Sequence, residues 1–80
     1  MDKDLARHVA RVGFSTMNQL SHLLELLKDQ CDPEEYQTYL KAIGTVGASI
    51  STEMISRVVA LYPELEVEIE AKIKKYGLVI

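Results

Sequence analysis

Two proline positions divide the chain into three helical segments. Asp32 and Pro33 begin one segment, and Pro63 begins another, with glutamates directly after each proline. An aspartate side chain caps a helix start, proline fits the first helical position, and glutamates favour the positive end of the helix dipole. The sequence therefore predicts one domain over residues 1–80, with helices at about residues 3–30, 33–62 and 63–76.

The first segment combines an apolar arc with a polar stripe. The apolar arc repeats at three- and four-residue steps: Leu5, Val9, Val12, Leu20, Leu23, Leu24 and Leu27. The polar stripe has the same steps: Asp4, His8, Arg11, Ser15, Asn18, His22, Glu25 and Asp29. These periods are typical of a packed helix with one face in water. Phe14 lies inside the polar stripe, and a break at Gly13, which would turn Phe14 inward, stays open as an alternative.

The second segment has the longest regular apolar seam. Its members are nearly heptad in spacing: Tyr36, Leu40, Ile43, Gly47, Ile50, Met54, Val58 and Leu61. Beside the seam lie Gly44, Ala48 and Ser51, small residues that let another backbone approach, and no charge occurs from Ala42 to Thr52. Such a helix is expected to be covered on most sides. A continuous helix is favoured over a break near Gly47, because the apolar phase carries across residues 43–54.

The third segment alternates glutamate with apolar residues from Glu64 to Glu70, as a strand would. A helix is favoured, because Glu68 and Lys72 form a four-residue pair and no other part of the chain reads as a partner strand. Gly77 is placed to end this helix.

The short link between the first two segments predicts an antiparallel helical hairpin. Two helices cannot enclose a core, and the third segment is too short to cover the whole hairpin. We therefore predict an all-α fold, a hairpin plus a short third helix, that dimerises into a four-helix-type bundle. The expected homodimer interface comprises Tyr36, Leu40, Ile43, Gly44, Gly47, Ala48, Ile50, Ser51, Met54 and Val58.

Composition limits the setting of the protein. The single cysteine, Cys31, cannot close an internal disulfide, which favours a reducing, cytoplasmic compartment. The sequence begins Met1-Asp2-Lys3-Asp4 without a signal-peptide core, and no apolar run approaches the roughly 18 residues that span a bilayer. We expect no membrane partner.

The residues that could act as metal ligands or as a nucleophile have simpler interpretations. His22, Glu25 and Asp29 lie on one helical face and offer ligands to a metal ion, but the polar stripe already explains them. Cys31 precedes a helix N-terminus, where its thiol gains reactivity, but acidic neighbours oppose a thiolate. We expect no catalytic residues, no metal and no cofactor.

Binding to nucleic acid is an alternative that the charges disfavour. Residues 49–57 resemble the recognition helix of a helix-turn-helix protein. The net charge of −3 and a pI near 5.3 provide no basic face for phosphate contact. The one basic patch comprises Lys3, Arg7, His8 and Arg11.

Apolar residues outside the seams are candidates for contact with another protein. They are Phe14, Leu78, Val79 and Ile80. A pocket for an apolar ligand beside Tyr36, Tyr39 and Met54 is a further alternative, with ordinary packing as the simpler interpretation.

The stretch from Tyr39 to Glu53, continuing through residues 61–65, resembles small all-helical bacterial proteins of uncharacterised function. The resemblance implies a long helix through Gly44 and Gly47 and then a turn at Pro63, and it supplies no functional residues. We predict a non-enzymatic helical interaction module, a homodimeric regulatory or adaptor subunit. A DNA-binding transcriptional regulator and a bundle that binds a metal or an apolar ligand are the alternatives.

Overall fold

The part of the chain that the structure describes is all-helical. A computed structural model describes residues 1–76, and these contain no strand. The elements are α1 (Lys3–Gln30), α2 (Pro33–Ile50), a π-helical segment (Ser51–Ile55), α3 (Ser56–Leu61) and α4 (Glu64–Tyr76). The all-α prediction is confirmed for these residues, and the alternating glutamates belong to a helix. Gly77, the predicted helix stop, lies outside the described residues.

Aspartate caps begin both long helices. The Asp2 carboxylate accepts the Leu5 backbone N–H at 2.8 Å, and the Asp32 carboxylate accepts the Glu35 N–H at 2.9 Å. The bond from the Glu35 N–H also lowers the pKa of Asp32 below its ordinary value. The predicted start of the second helix, with Pro33 in its first turn, is confirmed.

The segments α2, π and α3 form one continuous rod over residues 33–61. The junction residues Ile50, Ser51, Ile55 and Ser56 all have right-handed helical backbone angles, and the Ser56 N–H donates to the Ser51 carbonyl. Gly47 lies inside α2 and breaks nothing, as the continuity argument predicted. The alternative break at Gly13 is absent as well, because α1 is continuous.

The π-helical segment changes which residues of the rod face α1. A Cβ atom added to Gly13 would lie 3.1 Å from Ile55 Cγ1 and 3.5 Å from Ile50 Cγ2. Five residues of α-helix turn about 140° beyond a full turn, whereas a π turn, bonded from i to i+5, brings such residues nearly into line. Ile55 is therefore buried while Met54 is half-buried, which corrects the seam that placed Met54 inward.

A small core holds one end of the molecule, which we call the base. It comprises Ala6, Ala10, Val58, Leu65 and Ile69, and Leu65 is its largest fully enclosed side chain. On α1 the buried positions are Ala6, Ala10 and Gly13, four and three residues apart. Small residues on this stripe let α1 lie close to the rod.

The predicted apolar arc of α1 is wrong at the base. Leu5 is 49% exposed and Val12 is 42% exposed, because the small stripe beside them takes the inner position. Phe14, which the arc left among polar residues, is half-buried and packs against the core.

Ion pairs fix α4 to the first two turns of α1. Arg7 Nε donates to Glu68 Oε2 at 2.9 Å, and Lys3 Nζ lies 3.1 Å from Glu64 Oε1. At the same end, the Tyr62 hydroxyl donates to the Met1 carbonyl at 2.8 Å. Within residues 1–76, no helix combines the length and the apolar content needed to cross a membrane.

Removing the centre of the core should destabilise the fold strongly. Leu65 is 0% exposed, so Leu65→Ala should lower the free energy of unfolding by about 2–5 kcal/mol through lost burial and a residual cavity. Val67 is 68% exposed on the same helix, so Val67→Ala should change it by less than about 0.5 kcal/mol. Urea titration followed by circular dichroism measures both. Equal losses would contradict this packing of α4.

The contact between Gly13 and Ile55 tests the π-helical register. Gly13→Leu should cost about 1–3 kcal/mol of stability, because the added side chain meets Ile55. In an Ile55→Ala background Gly13→Leu should cost less than in the wild type, and in a Met54→Ala background it should cost the same. Double-mutant cycles from urea titrations measure both couplings. A larger coupling to Met54 would mean an α-helical rod without the insertion.

Candidate interaction surfaces

Beyond the base, the two long helices bury nothing completely. No residue from Phe14 to Met54 is buried, and α2 contributes no residue to the core. The side chains between α1 and α2 are only half-buried, although these helices contact each other. We call the apolar residues here the distal surface: Leu20, Leu23, Leu24, Leu26, Leu27, Tyr36, Tyr39, Leu40, Ile43, Val46 and Ile50.

The predicted dimer-interface residues occupy three environments. Gly44, Ala48 and Ser51 are exposed. Six are half-buried: Tyr36, Leu40, Ile43, Gly47, Ile50 and Met54. Val58 is 2% exposed in the core of the base, so it cannot contact a partner in this conformation. Its place in the predicted dimer interface is therefore corrected.

Two glycines leave open space at the edge of α2. A Cβ atom added to Gly44 or to Gly47 would meet no atom of residues 1–76 within 4 Å. Within the part of the chain that the structure describes, no close approach therefore requires glycine at either position. A second helix lying along this edge would give the missing side chains a packing role.

A second apolar surface, the base groove, opens between Phe14, the rod and α4. It has a volume of about 600 Å³. Its lining residues are Phe14, Ser51, Ile55, Ser56, Val59, Ala60, Glu66, Ile69, Glu70 and Ile73. Of the predicted partner-binding residues, Phe14 is the one that the groove contains. Leu78, Val79 and Ile80 lie outside the described residues.

Sequence reasoning missed most of this groove. Ile55 and Val59 line it because the π-helical segment rotates them, and a heptad seam gives no sign of that rotation. The available signals were the five-residue spacing from Ile50 to Ile55 and the isolated Phe14.

The structure divides the glutamates of α4 between two roles. Glu64 and Glu68 face α1, where hydrogen bonding with Arg7 is the main cause that lowers the pKa of Glu68. The pKa of Glu64 is also lowered, first by its own backbone N–H and then by Lys3. Glu66 and Glu70 instead line the base groove, and neither carboxylate has a hydrogen-bond or ion-pair partner among residues 1–76.

Two of the four residues of the basic patch are engaged by these same contacts. Lys3 and Arg7 pair with α4 carboxylates, and Arg7 also holds Asp4 at 2.7 Å, so neither cation is free for phosphate. Residues 49–57 lie inside the continuous rod, where a helix-turn-helix protein needs a turn before its recognition helix. Arg57 pairs with Glu53 at 2.7 Å within that rod.

The remaining candidates for chemistry are one exposed pair of side chains and a lone cysteine. His22 Nδ1 lies 4.0 Å from Glu25 Oε2 on an exposed surface. Among the residues that the structure describes, no three His, Cys, Asp or Glu side chains are placed to hold a metal ion. Cys31 is partly buried at the end of α1, where its backbone N–H donates to the Leu27 carbonyl.

No family model, curated protein or solved structure matches the chain. The resemblance of residues 39–65 to small bacterial helical proteins therefore stays a prediction. The two apolar surfaces are the observations from which a function can be argued.

Acid should weaken the attachment of α4 to α1. The pKa of Glu68 in the folded protein lies below its ordinary value. Its pairing therefore contributes fully to stability when the pH is above that ordinary value, and the contribution is lost as the pH falls through the folded pKa. Glu68→Gln should be less stable than the wild type at about pH 7 and lose less stability on acidification to about pH 3. Urea titrations across this range measure the difference.

Arg7→Gln serves as the reciprocal variant for this pH dependence, because it removes the side-chain hydrogen bond that is the main cause of the lowered pKa of Glu68. Its stability should follow a pH curve close to that of Glu68→Gln. Parallel curves for Glu68→Gln and the wild type would show that the pairing contributes nothing to folding in solution.

Proposed function

We propose that the protein is a non-enzymatic interaction module that acts as a homodimer. In this proposal α1 and the rod form an antiparallel hairpin, and two hairpins join their distal surfaces into a four-helix bundle. The contacts of Tyr62 with Met1 and of Ile55 with Gly13 support the antiparallel order, because they pair the start of α1 with the end of the rod.

The absence of any buried residue from Phe14 to Met54 is the observation that carries the proposal. Large apolar side chains here keep much of their area in water, with Leu26 56% exposed and Tyr39 49% exposed. Covering apolar surface stabilises by about 25 cal/mol per Å², and a standard interface buries about 800 Å² on each partner. A cover of that size would give this half of the molecule the core that it lacks alone.

The chemistry of α2 favours a second copy as the cover. No charge occurs from Ala42 to Thr52, so two copies related by a two-fold axis would bring no like charges together there. The open edges at Gly44 and Gly47 allow the two rods to approach closely. An uncharged, self-complementary face is what a symmetric interface requires.

We infer a regulatory or adaptor role from two apolar surfaces, which adjoin at Ser51, a residue of the predicted dimer interface that also lines the base groove. If the distal surface holds the second copy, the base groove on the far side of Phe14 stays available to another molecule. We place this activity in the cytoplasm, on the ground that Cys31 is a single free thiol.

The oligomeric state tests the proposal. By size-exclusion chromatography with light scattering at micromolar concentration, the wild type should have twice the 9.0 kDa mass of one chain. Ala48→Glu should return it to a single chain, because it places a charge on an exposed interface position and its copy.

Thr38→Glu is the matched control for this experiment. Thr38 is also exposed on α2, but it lies on the polar side of the helix, about 120° around it from Gly44 and about 80° from Val46, so the dimer should persist. Circular dichroism should report wild-type helix content for both variants. A wild-type protein of 9.0 kDa at micromolar concentration would defeat the homodimer proposal.

A further inference from the structure

The base groove combines an apolar floor with an acidic rim on one side. Phe14, Ile55 and Ile73 contribute to its floor, and among residues 1–76 the charged lining residues are Glu66 and Glu70. Glu66 and Glu70 are exposed and unpaired among residues 1–76, although their neighbours on α4 are tied to α1. The groove therefore favours a cationic, apolar occupant over an anionic one.

The spacing of the lining residues on α4 matches a short length of helix. From Glu66 to Ile73 the groove follows α4 for about 10 Å, the distance that positions i, i+4 and i+7 cover on another helix. Glu66 and Glu70 are one turn apart, about 6 Å along the axis. Two cations one turn apart on a partner helix would lie opposite them.

We propose that the base groove binds an amphipathic helix of a partner protein. This helix carries apolar residues at i, i+4 and i+7 and has lysine or arginine one turn apart along one margin. The inference rests on the proposed function in one respect: the second copy must occupy the distal surface and leave the groove open. Binding adds a helix beside α4 and buries Ile73, which is 38% exposed in the single chain.

A pair of designed peptides tests this assignment. One is a peptide of about 18 residues, long enough to form a helix, with leucines at the three apolar positions, lysines one turn apart and alanine elsewhere. The other has glutamates in place of the lysines. Calorimetric titration of the full chain should show binding of the lysine peptide at least about tenfold tighter than the glutamate peptide, from two charge pairs.

Variants locate the binding. The double substitution Glu66→Gln, Glu70→Gln should weaken the lysine peptide about tenfold. The double substitution Glu25→Gln, Asp29→Asn removes the same net charge far from the groove and should leave its affinity unchanged. Ile73→Ala should weaken both peptides, whereas Val67→Ala, on an exposed position of the same helix that does not line the groove, should weaken neither.

Two results would overturn the assignment. One is equal affinity for the lysine and glutamate peptides, and the other is equal loss of affinity in the groove and control charge variants.

Light scattering on the same samples separates this inference from the homodimer proposal. A protein of single-chain mass that binds the lysine peptide through Glu66 and Glu70 would support the groove inference and contradict the homodimer proposal. A dimer that binds neither peptide would support the homodimer proposal and contradict the groove inference. Binding that appears only after Ala48→Glu dissociates the dimer would show that the second copy covers the groove, against the inference.

Discussion

The close approach of α1 to the rod at Ala6, Ala10 and Gly13 determines the rest of the structure. These small residues bring the two backbones together, but they supply little apolar area of their own. Larger side chains from the other elements, Val58 and Leu65 above all, must therefore fill the base. The result is a tight but small core whose stability depends on α4 staying in place, and the ion pairs to α1 contribute to that placement.

The length of α4 then creates the asymmetry between the two ends. Its 13 residues cover about 20 Å, while the 28 residues of α1 extend for about 42 Å. The base consequently has three helices around its core, whereas the distal half has two helices and no buried residue. Both candidate surfaces follow from this difference. The distal surface is the part that α4 does not reach, and the base groove is the opening between α4, the rod and Phe14.

Local features of the sequence predicted the helices, and tertiary features decided what they bury. Asp32 predicts the start of its helix correctly, because a helix cap is a contact between residues that are close in sequence. The choice of Ala6 over Leu5 as an inward residue is invisible to periodicity, because both fit a helical repeat and only the close approach of the rod selects the smaller side chain. Phe14 was found as an anomaly, but the groove that it lines depends on a π-helical insertion that no regular repeat indicates.

That insertion couples the core to the base groove. Without its extra residue, α3 would rotate by about 100° relative to α2. The rotation would carry Val58 away from Ala6 and Leu65, and it would also remove Val59 from the groove. A single backbone irregularity thus serves both the stability of the base and the shape of its surface. π-Helical insertions cost regular hydrogen bonding and are frequent at functional sites, and here the insertion lies at Ser51–Ile55, where the rod meets the groove.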